Sequence, residues 1–560
     1  MKVKGKYLVV FPFLLASLLG MTLNANAAIF KVSNSTQFRK ALNSAATNGE
    51  DDIIILADGT YKTTDDGYGT FTYYSNENNS LTIKGSSSKK VILSGANKNQ
   101  ILNFQTVNHN ATLKLQNLTF MDGKNNSGNG GGVYSDGNIE VIDCNFTKNS
   151  ANIDNVGNEY FGGGFYAKSA KVINSTFTNN SAYAYGGGFY VKSSATIINS
   201  TFTNNIAKHI FNSGGGGFYA GSAVTVKGST FINNRSGIDG GGFEAGSSAT
   251  VKNSTFSNNS AGSNGGGFKA GSSATVKNST FSNNSAGGSG GGFNAGSAIV
   301  TNSTFTNNSA GGSGGGFNAG SAKVINSTFT NNRSGDQGGG FDASSAATVK
   351  GSTFTNNRAT VWGGGFAAFS TYTKSAAIVI NSRFTKNSAG SGGGFFARSV
   401  TAANSIFVKN SADNNGGGGF YASTIKASNL LFKDNSSGIY IENYKDSKNN
   451  IIINSIFLHN TFDIKGESGV VISHLENNYI NVYKVKVASF KKNNIFDGVN
   501  LGFVDEKNGD YHLKPTSDLI DKGTTNIKGF TLPNVDMDNN PRVIGSTIDI
   551  GPYEFNPKNK

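Results

Sequence analysis

The chain has 560 residues, 75 of them glycine and 41 phenylalanine, with a formal charge of +14, only 15% charged residues and a single cysteine. Periodic aromatics exclude a disordered low-complexity polymer, one cysteine excludes an intrachain disulfide, and a charge excess spread without blocks of like sign excludes a dedicated nucleic-acid footprint. A globular chain of this length suggests about three or four domains, yet a solenoid absorbs most of it as one body.

Residues 1–27 read as a secretory signal peptide: Lys2, Lys4 and Lys6, an apolar run from Tyr7 to Leu23, then Ala25-Asn26-Ala27 as a small-residue cleavage site. Its removal takes three lysines and no acid, leaving a mature charge of +11. No later apolar run is long enough to span a bilayer, so no transmembrane segment is expected in the mature chain. Residues 28–100 read as an N-terminal cap and the first rungs. There Ser35 opens a short helix with Phe38, Leu42 and Ala45 on one face, and Asp52-Ile53-Ile54-Ile55-Leu56 follows as a strand before the turn Ala57-Asp58-Gly59-Thr60-Tyr61. This helix followed by a D-x-I-x-L-A-D-G-T-Y segment looks like the N-terminal cap of secreted right-handed β-helices, which would keep the first coil from exposing its backbone edge and aromatic ring.

Residues 101–475 carry the repeat. Two near-identical units start at Phe243 and Phe268, and one phenylalanine per unit can be followed from Phe120 through Phe256 and Phe281 to Phe457 at an average spacing of about 26 residues. Within a unit, A-T-V bends at Lys-Asn, S-T-F-S alternates, and N-N and G-G-G punctuate the rest. Such short alternation predicts three strands and three corners per coil, with no helical period. The rings of Phe256, Phe281 and their equivalents are expected to stack inside, each contributing about 2 kcal/mol by burial. Gly265-Gly266-Gly267 and the pair Asn258-Asn259 are expected at tight corners, the amides bonding from coil to coil. Cys144 replaces the small inward serine seen at Ser175 and Ser254, so it reads as a buried, inert thiol. In Asn174-Ser175-Thr176 the register makes the asparagine a bend residue rather than a glycosylation acceptor.

These F-x-x-N and G-G-G-F units resemble the repeats of the chlamydial polymorphic membrane proteins, which pair FxxN with GGAI. The resemblance implies a right-handed parallel β-helix and a role in adhesion. It covers roughly residues 118–435. That family ends in an outer-membrane β-barrel finishing in Phe, whereas this sequence ends Asn556-Pro557-Lys558-Asn559-Lys560, so the family's export route and anchor are not carried over.

Residues 476–560 read as last rungs and a C-terminal cap. Asp536-Met537-Asp538-Asn539-Asn540-Pro541-Arg542 and Asp549-Ile550-Gly551-Pro552-Tyr553-Glu554 resemble the terminal segment of the bacterial β-helix proteins called choice-of-anchor Q, which implies secretion. Arg542 is expected to pair with Asp536 or Asp549 and close the last coil.

Candidate functional residues fall into three sets. Three corner insertions, residues 152–160, 208–211 and 370–374, are the places for a recognition surface, and Glu159 and His209 share a corner where a catalytic pair would sit. Asp536, Asp538 and Asn540 echo the start of a calcium loop without its later glycine and glutamate; a capping hydrogen-bond network is the alternative, and no cofactor or metal is expected. The residue after the Gly-corner aromatic should point outward, which lines up Tyr134, Tyr166, Tyr190 and Tyr219 as a strip suited to stacking on sugar rings or contacting a protein. Beside the inner ring, the threonine pairs, such as Thr176 with Thr178, form a T-x-T array that resembles the ice-binding face of some solenoid antifreeze proteins, though Ile232, Ser257 and Ser282 interrupt it.

The sequence therefore predicts an all-β fold, a right-handed parallel β-helix of about 14 or more coils with a short N-terminal capping helix. It predicts a secreted monomer at the outer-membrane surface or outside a bacterium, binding a host or environmental glycan or a surface protein as an adhesin would, without catalysis and without nucleic acid. A polysaccharide lyase or glycoside hydrolase acting on an acidic polysaccharide is the alternative.

Overall fold

The computed structural model describes residues 27–152, 160–370, 375–413, 416–444, 449–480, 483–484, 486–487, 491–495, 498–525 and 530–558. The chain winds into a parallel β-solenoid of about 17 turns. At the spacing of neighbouring strands this is a rod about 80 Å long. One representative coil runs through Phe243–Ala245, Ala249–Lys252, Thr255–Ser257 and Ser260–Ala261. The first three segments build three long faces, here called first, second and third. The fourth, only two residues per coil, forms a separate 12-stranded parallel sheet, so the twelve coils that contribute to it have one more strand than the repeat pattern predicted. The register holds from coil to coil: Phe243 faces Phe268 on the first face and Phe256 faces Phe281 on the third.

Two columns of phenylalanine fill the interior. On the third face Phe256 and Phe281 stack at 4.8 Å with 3° between their planes, and on the first face Phe243 and Phe268 stack at 4.8 Å with 1°. The columns meet obliquely, Phe243 lying 5.9 Å from Phe256 at 51°. Every one of these rings is fully buried.

The two asparagines of each pair have different work. Asn258 takes the left-handed conformation, φ 56°, that turns the corner. Asn259 is buried, and its side-chain amide donates to the Oδ1 of Asn284 one coil on at 3.0 Å and to the carbonyl of Phe231 at 2.9 Å. A second internal ladder runs through the serines, the backbone N–H of Ser254 donating to the Oγ of Ser279. Cys144 occupies this ladder as anticipated: it is fully buried, and burial pushes its thiol up to about 12. Asn174, φ 48°, is the bend residue of its N-S-T triplet. At the Gly corner, Gly265 has φ 71°, and a Cβ on Gly266 would stand 2.3 Å from the carbonyl oxygen of Gly291; only glycine lets adjacent coils approach this closely.

Helix α1 (Ser35–Ala45) buries Phe38, Ala41, Leu42 and Ala45, and Phe38 packs against Phe71 at 4.8 Å. Asn34, not Ser35, is its N-cap, accepting from the Gln37 N–H at 2.9 Å.

The last described residues, 498–525 and 530–558, lie along the third face instead of across the end of the rod. Ile406, Val408, Leu431, Ile456 and Leu458 replace the outward threonines there, and Phe503, Tyr511, Leu513, Leu519, Ile550 and Tyr553 cover them. Bend asparagines tie the segment down: Asn404 donates to the Val535 carbonyl at 2.7 Å, Asn454 to Thr524 at 2.9 Å and Asn477 to Lys522 at 2.7 Å. Arg542 pairs with Glu554 at 2.9 Å, not with Asp536 or Asp549, because its other nitrogen is fixed on the Gly551 carbonyl at 2.7 Å.

Candidate ligand-binding strip

The outward row of the first face runs in unbroken register from Tyr134 through Tyr166, Tyr190 and Tyr219 to Glu244 and Lys269. It continues through Asn294, Asn318, Asp342, Ala367 and Phe396 to Tyr421 and Tyr440. Strand alternation points these side chains away from the core. Flanking residues nevertheless cover them: Tyr166 is only 6% exposed, Asp342 4% and Phe396 5%.

The row has two aromatic ends and a polar middle. At the N-terminal end the four tyrosine rings stack on one another at 5.3, 5.1 and 5.0 Å, with their planes nearly parallel. Phe161 stacks on Tyr190 at 5.0 Å, the edge of Tyr185 meets Tyr219 at 4.8 Å, and the Lys192 ammonium sits 5.7 Å from the centre of the Tyr166 ring. The faces of the inner rings are thus occupied by their neighbours, and the strip offers ring edges and phenol groups in a row. At the other end, Phe396 stacks on Tyr421 at 4.6 Å and Tyr421 on Tyr440 at 4.9 Å, with Trp362 over Phe396 and Arg398 over Phe369 and Tyr444.

In the middle, the Lys269 ammonium lies 2.5 Å from Asp239 and 3.4 Å from Glu244. Asp239 also accepts from the backbone and side-chain N–H groups of Asn264 at 2.9 and 3.1 Å. Burial pushes Glu244 up to about 7, against the pull of Lys269 and with the push of Asp239. Its Oε2 is buried with no hydrogen-bond partner, packed against Gly214 where any Cβ would collide with it. Farther along, Asn294 donates to Asn318 and Asn318 to Asp342, each at 3.0 Å. Burial first, and Asp336 second, push Asp342 up to about 7.

The four tyrosines named from the sequence come together in the structure, whereas the charged centre was visible only as scattered acids. Its signal was available in the repeat: Lys269 follows Glu244 by one coil, and Asp239 precedes Glu244 at the Gly corner. Glu159 lies outside the described residues. His209 sits on the 208–211 corner against Tyr183 at 5.0 Å, and its Nδ1 accepts from the Phe211 N–H. Asp536 is fully buried and accepts from the N–H groups of Asp538, Asn540 and Glu554 and from the Asn540 amide, while Asp538 bonds His512. That is a hydrogen-bonded turn holding the C-terminal segment together. Among the described residues no group of three or more His, Cys, Asp or Glu is arranged to hold a metal ion.

The family model described as right handed beta helix region matches residues 152–296 and 242–424. The chain is a right-handed parallel β-helix. The finer likenesses to chlamydial repeats and to choice-of-anchor Q segments receive no support from this match. No curated protein matches this β-helix in sequence. Among solved structures it is similar to a mannuronic acid specific polysaccharide family 6 lyase from human gut microbiota, at 11% identity and a TM-score of 0.26, over 78% of this chain and 88% of that one. It is similar also to pectate lyase Pel9A, at 12% identity and a TM-score of 0.19 over 95% and 97%. A third is a PL6 alginate lyase in complex with trisaccharide, at 12% identity and a TM-score of 0.22 over 85% and 89%. The similar solved structures are lyases, so the expectation of a β-helix without catalysis is not upheld. Likeness this slight assigns no reaction to the present chain.

Proposed function

We propose that this β-helix is a secreted, adhesin-like recognition protein that holds an extended glycan along the outward row of its first face. The observation that carries the reading is the row itself: phenol groups, an ion cluster, an amide ladder and a second aromatic stack succeed one another at the rise of one coil, about 4.8 Å. A linear polymer meets a new contact at each rung, and phenol hydroxyls at the tips of the stacked rings suit hydrogen bonding to sugar hydroxyls. The leader-like residues 1–27 support placement outside the cell. Glycan-array screening followed by calorimetry on the binders tests the reading. Replacing Tyr166, Tyr190 and Tyr219 together by Ser should weaken binding at least tenfold, about 1.4 kcal/mol, and unchanged affinity would dispose of it.

The Asp239–Lys269–Glu244 cluster favours a second reading, cleavage of an acidic polysaccharide held in the same row. A carboxyl group held near neutrality beside an ammonium and a second carboxylate is a recurrent acid–base arrangement. Release of unsaturated or reducing ends from a polyuronate panel, lost in Glu244→Gln while binding persists, would establish it. The same release from Glu244→Gln would exclude that centre.

A further inference from the structure

We propose that the cavity between the third face and the C-terminal segment is a second binding site, for a linear acidic saccharide bearing carboxylate or sulfate groups. The cavity measures about 720 Å³ and is lined by Arg383, Lys386, Lys409, Lys433 and Lys507, with Glu506 the one acid on its wall. That volume is within the range of small-ligand sites, roughly 300–1,000 Å³.

Internal pairing does not neutralise this charge. Lys433 is taken up by Asp434 at 2.8 Å and Glu506 at 3.4 Å. Among the described residues no carboxylate bonds Arg383, Lys386, Lys409 or Lys507. The Arg383 guanidinium is steered from below by the Tyr511 ring at 6.0 Å and by the Gly509 carbonyl at 3.4 Å, so the C-terminal segment positions a cation that the solenoid supplies.

The repeat gives an independent argument. Lys386 and Lys409 stand at the corner that Asn258, Asn283, Asn307, Asn331 and Asn356 occupy in earlier coils, and both adopt φ 55°. Asparagine tolerates that conformation better than lysine, so the fold does not call for lysine there. Lys148 does the same in an early coil, but singly. Among the described residues, only beneath 506–511 do two successive coils place lysine there, in the same place where Arg383 replaces the outward threonine, Thr353 in the coil before. Cations repeated along the rod axis match a polymer with charges along its length better than a single compact anion.

Calorimetry on the full chain with a size-defined oligogalacturonate and a sulfated oligosaccharide tests the site. Binding of at least one, weakened by added NaCl and reduced at least tenfold in Lys386→Asn/Lys409→Asn/Lys507→Gln, is the expected result. The first two substitutions restore the repeat residue, so the variant should keep the wild-type circular dichroism and Tm. The Tyr166/Tyr190/Tyr219→Ser variant should retain this binding, which separates the site from the first-face row. Failure of both probes to bind, unchanged affinity in the lysine variant, equally tight binding of inorganic sulfate, or equal binding of a single-stranded oligonucleotide would each overturn the proposal.

Discussion

Asn259 shows how much one side chain holds in place. Its amide and backbone N–H both reach Asn284, and its amide reaches back to the Phe231 carbonyl, all without solvent. Removing one rung by Asn284→Ala would orphan the Asn259 N–H groups and the Phe256 carbonyl, each costing about 1–3 kcal/mol. Thermal unfolding should show a loss of several kcal/mol, whereas Asn283→Gly at the exposed left-handed corner should be nearly silent. Asp342 behaves in the opposite sense. Its pKa rises from 3.8 to about 7 on folding, so the folded state binds the extra proton. The penalty is absent below pH 3.8, grows as pH rises, and is complete above about 7. Asp342→Asn should therefore raise the unfolding midpoint at about pH 8 and leave it little changed at about pH 4. The paired asparagines were legible in the sequence as corner and ladder residues. Which one turned and which one bonded was not, since that depends on which peptide faces inward. Likewise the tyrosine row could be read from alternation, but its burial comes from Phe161, Tyr185 and Lys192, which lie on non-repeating corners.

At the scale of elements, the C-terminal segment is the part the repeat does not explain. Its docking row was present in the sequence as Ile406, Val408, Leu431, Ile456 and Leu458, where earlier coils have threonine or serine. Alternation alone assigns those positions to solvent, and only the partner segment turns them into a core. Leu431→Asp should release the segment and open cleavage sites within residues 498–558 to limited proteolysis, while the Phe columns keep the solenoid folded. His512 makes the clamp sensitive to pH. Burial alone would lower its pKa, but hydrogen bonds from its ring to Asp538 and Asp510 outweigh this and raise it above 6.5. Its contribution is then fully present below 6.5 and is lost as pH rises through the higher folded value. Protease resistance of the segment should therefore fall as pH rises above about 6.5, and Asp538→Asn should flatten that dependence.

For the molecule as a whole, two columns of rings make a stiff interior that leaves the outer rows free to vary. The period of the phenylalanines makes this architecture readable in the sequence alone, because a ring at each repeat must be buried against its neighbours above and below. The fourth, two-residue strand was not readable, because Ser260-Ala261 is too short for alternation to show. Recognition along the first face can be tested by hydroxyl-radical footprinting with a saturating glycan identified by array screening. Protection of Tyr134, Tyr190, Tyr219, Tyr421 and Tyr440 together, with the third-face threonines unchanged, is the expected result. Protection confined to another face, or none on this row while the glycan is bound, would contradict it.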